Sequence, residues 1–302
     1  MSELTYDDMP EHRSLWRDVW SQFRTHKGAM AGAIVFVLIV LVVTVGPYIH
    51  TIDPQYLDIR NKNLSPSWEH PMGTDNLGRD TLAQVMAGGR VSLLVGVVAM
   101  LLSLLLGAAI GVLAGFFKKL DGPLMRLTDL FLALPLLPLL LVIIMLFRDT
   151  LRSMFGPETG IFILIVFVIG ITSWMQTARI VRGDVLTLKE QEFVVAASSI
   201  GTPARRIILR HIMPNVLSPI MVSATLGIAN AIITESALSF LGLGFPSDFP
   251  TWGRLLYDGA NFMQLTPARV IWPGLAISLT VLSVNYMGDG LRDALDPRIR
   301  GR

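Results

Sequence analysis

The side chains that could carry out chemistry in this sequence do not form a known catalytic or metal-binding pattern. There is no cysteine, so disulfides, thiolate metal sites and cysteine nucleophiles are excluded. The sequence contains no GxxxxGKS/T phosphate-binding loop, no HExxH zinc motif and no GxSxG nucleophile motif. The histidines are scattered, at His12, His26, His50, His70 and His211, which argues against a metal cluster. These residues predict a chain that is not an enzyme and holds no cofactor or metal of its own.

Glu235 is the only ionisable residue well inside a long apolar stretch, and residues of this kind are candidates for function. One interpretation is that its carboxylate binds a positively charged group of a ligand, such as an ammonium group. A second interpretation, which we favour, is that it hydrogen-bonds a neighbouring helix, and a third is that it lies near the outer mouth in water. Asn230 and Asn285 are interpreted in the same way, with a tentative place in a ligand pathway. A proton-driven carrier needs several buried carboxylates or histidines, so a single glutamate disfavours that class.

A polar segment at 187–215 separates two apolar stretches and has the pattern of two short helices joined by a turn. Thr187 and Glu190 match a capping box, which predicts the start of the first helix. Gly201 stands where a helix commonly ends in a residue of positive φ. Apolar side chains recur at helical spacing and predict one contact stripe, formed by Phe193, Ala196, Ala197 and Ile200.

The second half of the polar segment predicts a short basic helix. Thr202 is expected to cap this helix, with Pro203 at its first position and Pro214 at its end. One face is enriched in positive charge by Arg205, Arg206, Arg210 and His211. Three interpretations compete: a loop that packs on its own protein, a DNA-reading helix-turn-helix, and a docking element for a cytoplasmic partner. Because the segment is tethered to apolar stretches at both ends, entry into a DNA groove is disfavoured.

The composition predicts an all-α integral membrane protein. Hydrophobic residues make up 52% and charged residues 16% of the sequence, and the mean hydropathy is +0.56. Ordinary soluble domains carry about 25% charged residues. The net charge of +2 gives no support for nucleic-acid binding. A bilayer-crossing helix needs about 20 apolar residues, and six stretches qualify. They are 29–49, 91–117, 130–147, 160–178, 216–245 and 270–288.

The placement of lysine and arginine predicts the orientation of these spans. If the N-terminus is cytoplasmic, 17 of the 25 Lys and Arg residues lie on the inner side, as the positive-inside rule expects. Both termini and the polar segment are then cytoplasmic. The expected domains are a tail at 1–28 with an interfacial amphipathic helix, a first span at 29–49, an extracytoplasmic loop at 50–90, a core at 91–290 with five transmembrane helices and the polar segment, and a cytoplasmic tail at 291–302. The tail helix is predicted from Leu15, Trp16, Val19, Trp20 and Phe23.

The polar segment resembles the coupling loop of bacterial ABC-importer permeases, whose pattern is E-A-A-x3-G-x9-I-x-L-P. The pattern falls on Val195-Ala196-Ala197, Gly201 and Met213-Pro214. Val195 replaces the glutamate and His211 replaces the first isoleucine, with Glu192 or Glu190 as candidates for the missing carboxylate. The resemblance implies that contact with an ATPase is made by Glu192, Phe193, Ala196, Ala197, Gly201, Arg205, Arg206, Arg210, His211 and Pro214.

Five further strings resemble the dipeptide, oligopeptide and nickel group of these permeases, and the six-span pattern is similar to the C-type member of the permease pair. They are His70-Pro71-Met72-Gly73-Thr74-Asp75 with Gly78-Arg79-Asp80; Met125-Arg126-x2-Asp129-x3-Ala133-x-Pro135; Ala178-Arg179-x-Val181-Arg182; Glu235-Ser236-x-Leu238-Ser239-Phe240-Leu241-Gly242-Leu243-Gly244; and Gly288-Asp289-Gly290-Leu291-Arg292-Asp293-x2-Asp296-Pro297. From their spacing, Arg126 and Asp129 are expected to pair on one helix face. Asp75, Arg79 and Asp80 either order the outer loop or meet a binding protein.

The resemblance implies a non-catalytic subunit of an ATP-driven importer. Its expected partners are a second permease subunit, two cytoplasmic ATPase subunits that bind ATP and Mg, an extracytoplasmic substrate-binding protein and the lipid of a bacterial cytoplasmic membrane. The implied substrate is a dipeptide or an oligopeptide. A nickel chelate or another small solute is the alternative, and a proton-driven carrier is a weaker one.

Overall fold

The computed structural model describes residues 15–246 and 248–295, and within these ranges the chain is helical, with no strand and one isolated β-bridge between Thr74 and Asp80. The helices are α1 Leu15–Thr25, α2 Lys27–Ile49, α3 Thr81–Phe116, α4 Lys118–Ala133, α5 Leu136–Phe155, α6 Pro157–Ile171, α7 Trp174–Lys189, α8 Glu192–Ser199, α9 Ala204–Ile207, α10 Met213–Phe240, α11 Trp252–Ala260 and α12 Ala268–Leu295. The prediction of an all-helical chain is therefore confirmed for the described residues. The predicted tails at 1–28 and 291–302, including Asp296-Pro297, extend beyond them.

Five helical segments are long and apolar enough to cross a membrane: α2, α3, α6 with α7, α9 with α10, and α12. A sixth is obtained if α4 and α5 form one span, but these two helices meet at 88°. The span predicted at 130–147 therefore corresponds to part of this bent pair and is interrupted within it. The chain turns at Leu134, whose φ of −75° and ψ of 137° are extended, because the following Pro135 disfavours the helical region for the residue before it.

The connecting segments also differ from the prediction. The outer loop expected to run to residue 90 ends at Asp80, and α3 begins at Thr81. The span expected to run to 245 ends at Phe240. It is followed by α11, which the sequence analysis did not predict. This short helix is held by Trp252, a fully buried side chain whose Nε1 donates a hydrogen bond of 2.9 Å to the carbonyl of Val85.

Two buried clusters form most of the core. The outer cluster joins α3, α5, α6 and α10 through aliphatic side chains such as Val95, Leu140, Ile165 and Leu238. The inner cluster joins α3, α7, α8 and the start of α10. Because α3 and α10 contribute to both clusters, they connect the outer half of the bundle to its inner half.

Three glycines on α3 allow α7 to approach closely. Gly107, Gly111 and Gly115 are four residues apart and face α7 on one side of the helix. A Cβ atom added at Gly111 would lie 2.7 Å from the carbonyl oxygen of Ala178 and 2.8 Å from the Cβ of Val181. Small residues at this spacing let helix backbones pack closely in a membrane, where packing drives helix association.

Arg90 supports α2 at the point where Pro47 interrupts its hydrogen bonds. Proline has no N–H, so the carbonyl of Val43 lacks its helical donor. The Nε of Arg90 donates to that carbonyl at 2.9 Å, and its Nη2 donates to the carbonyl of Thr44 at 2.9 Å. A charged side chain therefore satisfies the backbone of a neighbouring membrane helix.

The α3–α7 contact predicts the effect of a large side chain at Gly111. Gly111→Leu forces the two helices apart, and overpacking of this kind costs about 1–3 kcal/mol. We expect a lower thermal midpoint of the purified protein in detergent. Gly183→Leu is the matched control, because Gly183 lies in α7 with no atom within 4 Å of an added Cβ. Equal midpoints for the two variants would contradict the role of the glycines.

Candidate functional site

The polar segment contains the short helix α8 and the turn at Gly201 that the sequence predicts. Gly201 has a φ of 79°, and its N–H donates to the carbonyl of Ser198 at 3.0 Å. The N–H of Thr202 donates to the carbonyl of Ala197 at 3.1 Å. These two bonds are the Schellman ending of a helix, which favours glycine at the left-handed position. The predicted end of the first helix is therefore confirmed.

The predicted capping box at Thr187 is wrong. Thr187 lies in the last turn of α7, and its Oγ1 donates to the carbonyl of Gly183 at 3.2 Å. The helix α8 begins after Gln191, which makes no capping hydrogen bond through its side chain. Helix α7 extends this far because Lys189 anchors its end, donating to the carbonyl of Phe116 at 2.7 Å.

The predicted second helix is not a separate unit. Pro203, and not Thr202, is its N-cap, and Pro214 does not end it. Helix α9 continues through a π turn at Ile208–Ile212 into α10, so the helical segment runs from Ala204 to Phe240. Pro214 is tolerated because it follows a π-helical turn. In that turn an N–H bonds the carbonyl five residues earlier and not four, as in the bond from the N–H of Met213 to the carbonyl of Ile208.

Helix α8 has one buried side and one exposed side. Val194 and Ala197 are buried in the inner cluster with Ile207, Ile212 and Val216. Ala197 is therefore not part of an exposed contact stripe, in contrast to the prediction from the sequence. The other side forms an exposed surface that we call the α8 surface. It contains Phe193, Val195 and Ile200, which are 44%, 50% and 83% exposed, together with Ala196 and the exposed Arg205, Arg206 and Arg210.

The remaining residues assigned to contact with an ATPase border the α8 surface. Glu192 and Pro214 are exposed, and His211 is half-buried with its ring centroid 6.1 Å from that of Phe193. Val195, at the position of the expected glutamate, is exposed beside Ala196. The surface is therefore apolar at its centre and positively charged on the side of α9.

The predicted pair between Arg126 and Asp129 is replaced by ion pairs between helices. Asp129 pairs with Arg179 of α7, and both side chains are more than half exposed. Asp121 of α4 accepts two hydrogen bonds from Arg182, one of them from Nη2 at 2.7 Å. A bidentate, partly buried pair is stronger than an exposed one. The two motifs of α4 and α7 therefore meet, and their ion pairs join the two helices.

The outer motif forms a hydrogen-bonded network at the start of α3. Asp80 is buried and caps the helix, accepting from the N–H of Ala83 at 2.7 Å. Its Oδ1 also lies 2.9 Å from Nε2 of His50, and its Oδ2 lies 2.8 Å from Nδ1 of His70. Thr74 joins two further parts of the loop, since its Oγ1 donates to the carbonyl of Asn61 and accepts from the N–H of Leu64.

Asp75 orders the tight turn that precedes Asp80. Its Oδ1 accepts from the N–H groups of Leu77 and Arg79, and its Oδ2 accepts from Nε of Arg79 at 2.6 Å. Gly73 and Gly78 have φ values of 77° and 78°, in the left-handed region that favours glycine. These contacts support an ordering role for the motif. Contact with a binding protein stays a prediction.

Glu235 lies in a packed junction of three helices. Its carboxylate accepts from Oγ of Ser239 at 2.7 Å and from Oγ of Ser92 at 3.2 Å, and the residue is fully buried. Ser92 in turn accepts from the N–H of Trp252 at 3.2 Å. The carboxylate thus bridges α3 and α10 near the start of α11, which supports the interhelical interpretation over the binding of a peptide ammonium group.

A groove that we call the polar groove, because uncharged polar side chains interrupt its mainly apolar lining, lies between α3, α10 and two helix interruptions. It has a volume of about 380 Å³ and is reached by Asn230. Glu235 and Asn285 are not among its lining residues, so the structure separates the three residues tentatively assigned to a pathway. The groove was not predicted from the sequence. Pro135 is its one local signal, since it marks a helix interruption. The uncharged polar groups that line the groove come from helices distant in sequence, and no local pattern predicts that they meet.

Comparisons with known proteins agree with this architecture. Residues 103–301 match the family described as binding-protein-dependent transport system inner membrane component, and residues 14–66 match the N-terminal TM domain of oligopeptide transport permease C. The chain is 40% identical over 288 residues to the oligopeptide transport system permease protein OppC of Bacillus subtilis (strain 168), covering 95% of this chain and 91% of that protein.

Two further relatives have similar coverage. The dipeptide transport system permease protein DppC of Alkalihalophilus pseudofirmus is 36% identical, over 95% of this chain and 91% of the relative. The glutathione transport system permease protein GsiD of Escherichia coli O6:K15:H31 is 37% identical, over 96% of this chain and 92% of the relative.

The network around Asp80 predicts the effect of removing its carboxylate. Asp80→Ala deletes a helix cap and the partner of two imidazoles, which we expect to cost about 2 kcal/mol. The outer segment should then open more often, and trypsin should cleave faster at the exposed Arg60 and Lys62. Asp53→Ala is the control, because Asp53 is exposed and accepts only from the nearby N–H of Gln55. Cleavage at the wild-type rate in Asp80→Ala would contradict the ordering role.

Proposed function

Because this chain belongs to the family of binding-protein-dependent transport system inner membrane components, we propose that it forms half of the translocation pathway of an ATP-driven peptide importer. The observation that carries this proposal is the likeness to peptide permeases over about 95% of the chain. The chain is then a non-catalytic, multi-pass subunit of a bacterial cytoplasmic membrane. It works with a second permease subunit, two ATPase subunits and an extracytoplasmic binding protein.

Peptides are the substrate class that the comparisons support best. Relatives of similar identity are named for the transport of oligopeptides, dipeptides and glutathione, and all of these ligands contain peptide bonds. A peptide pathway is also compatible with the contacts of Glu235, whose carboxylate is hydrogen-bonded to neighbouring serines. We infer that the carboxylate holds α3 and α10 together while the peptide passes elsewhere.

The α8 surface is the proposed contact with an ATPase subunit. Its exposed apolar centre suits a groove on a partner, and its arginines suit an acidic rim. The opposite side of α8 shares the inner cluster with α3, α7 and α10. A displacement of α8 by the partner therefore moves packed helices and not a loose loop. Since the chain has no phosphate-binding loop, ATP and Mg are bound by the partner.

The ATPase contact is tested by a charge on its most exposed apolar residue. Ile200→Asp places a carboxylate in the apolar centre of the α8 surface, and loss of such an anchor costs about 2 kcal/mol, or roughly 30-fold in affinity. We expect the ATPase subunit to be lost on co-purification while membrane insertion persists. Leu265→Asp is the control, since Leu265 is 77% exposed in the connection between α11 and α12. Full retention of the ATPase subunit by Ile200→Asp would overturn the contact.

A second test addresses the shape of the turn. Gly201→Val forces a β-branched residue to a φ of 79°, which costs about 1–2 kcal/mol, although an added Cβ atom has no neighbouring atom within 4 Å. We expect ATP-driven peptide uptake to fall strongly while the spans stay folded. The measurements are uptake in vesicles and thermal unfolding in detergent. Unchanged uptake would mean that the polar segment is only a connecting loop.

A further inference from the structure

The polar groove forms where two interrupted helical segments meet α3 and α10. One interruption is at Leu134–Pro135, between α4 and α5, and the other is at Thr172–Ser173, between α6 and α7. Helix interruptions at membrane depth are tolerated where they line a cavity, because the exposed backbone can bind water or a ligand there. Residues on both sides of both interruptions line the groove.

The polar groups of the groove are uncharged. Its lining contains serine, threonine, glutamine and asparagine but no aspartate, glutamate, lysine or arginine. Ser103 and Thr177 are each 6% exposed, and their hydroxyl groups form no hydrogen bond within the described part of the chain. The side-chain amides of Gln176 and Asn230 are exposed in the groove and likewise unpaired among described residues. These donors and acceptors face the groove, so they are available to water or to a ligand.

We propose that this groove binds the main chain of a translocating peptide through Gln176, Asn230, Ser103 and Thr177. An amide side chain has both a donor and an acceptor, so it matches the C=O and N–H groups of a peptide bond. The inference rests on the proposed function and adds a selectivity rule to it. Because the groove has no charge, it binds what all peptides share and does not discriminate between acidic and basic side chains.

Transport in the reconstituted complex tests this selectivity rule. The full complex with its co-purified subunits is placed in liposomes, and ATP-driven uptake of Ala-Ala-Ala, Ala-Lys-Ala and Ala-Glu-Ala is measured. Gln176→Ala and Asn230→Ala should each lower uptake of all three peptides by a similar factor of roughly three to ten, the effect of one lost neutral hydrogen bond. Gln22→Ala is the matched control, because Gln22 lies in α1, outside the groove.

A charged variant separates a loss of binding from a loss of folding. Gln176→Glu keeps the size of the side chain and introduces a negative charge. It should lower uptake of Ala-Glu-Ala relative to Ala-Lys-Ala, a discrimination that misfolding cannot create. Unchanged uptake in both alanine variants, or an effect that depends on peptide charge in them, overturns the proposed groove. Absence of ATP-driven peptide uptake by the wild-type complex instead overturns the proposed function.

Discussion

Every backbone polar group in a bilayer must be hydrogen-bonded inside the protein or face a cavity, and the arrangement of this bundle depends on that requirement. At Pro47 the free carbonyl is bound by Arg90, which belongs to another helix. At the end of α6 the Oγ1 of Thr172 donates to the carbonyl of Val168 at 2.7 Å. The interruption at Leu134–Pro135 opens onto the groove instead. At each helix interruption, a side chain therefore hydrogen-bonds the free carbonyl, or the backbone opens onto a groove with polar side chains.

Helix α3 connects these places. Its outer end is capped by Asp80, its middle contacts Glu235 through Ser92, and its inner half packs on α7 through three glycines. Helix α7 is joined to α4 by ion pairs and to α8 by the inner cluster. An outer loop, a buried carboxylate and an exposed inner surface are thus connected through one helix and the close packing against it.

Features that depend on local chemistry are predicted from the sequence. Predictions are wrong where a residue distant in sequence takes the place of the expected local partner. Apolar length identifies the spans, and the positive φ required after α8 identifies Gly201. Thr187 carries a valid capping signal but lies in the last turn of α7, whose final residue, Lys189, donates to a carbonyl of α3. The spacing of Arg126 and Asp129 predicts a local pair, yet Arg179 of another helix takes the aspartate.

Features that arise only from packing were not predictable. The short helix α11 has local signals in the capping Thr251 and in the apolar side with Trp252 and Leu255, but its position depends on the burial of Trp252 between helices distant in sequence. The groove has the same origin, since Ser103, Gln176 and Asn230 lie in three separate helices. Each has an ordinary composition for a membrane helix, and only the tertiary structure brings them together.

The continuity of α9 with α10 has a mechanical consequence. A helix rises 1.5 Å per residue, so Asn230 lies about 39 Å along one rod from Ala204, beside the α8 surface. A rod of this length acts as a lever, and a tilt of 5° about one end displaces the other by about 3 Å. The π turn at Ile208–Ile212 is its most compliant point, because hydrogen bonding there is irregular. The stiffness of these five residues therefore affects how far a displacement at the α8 surface reaches the groove.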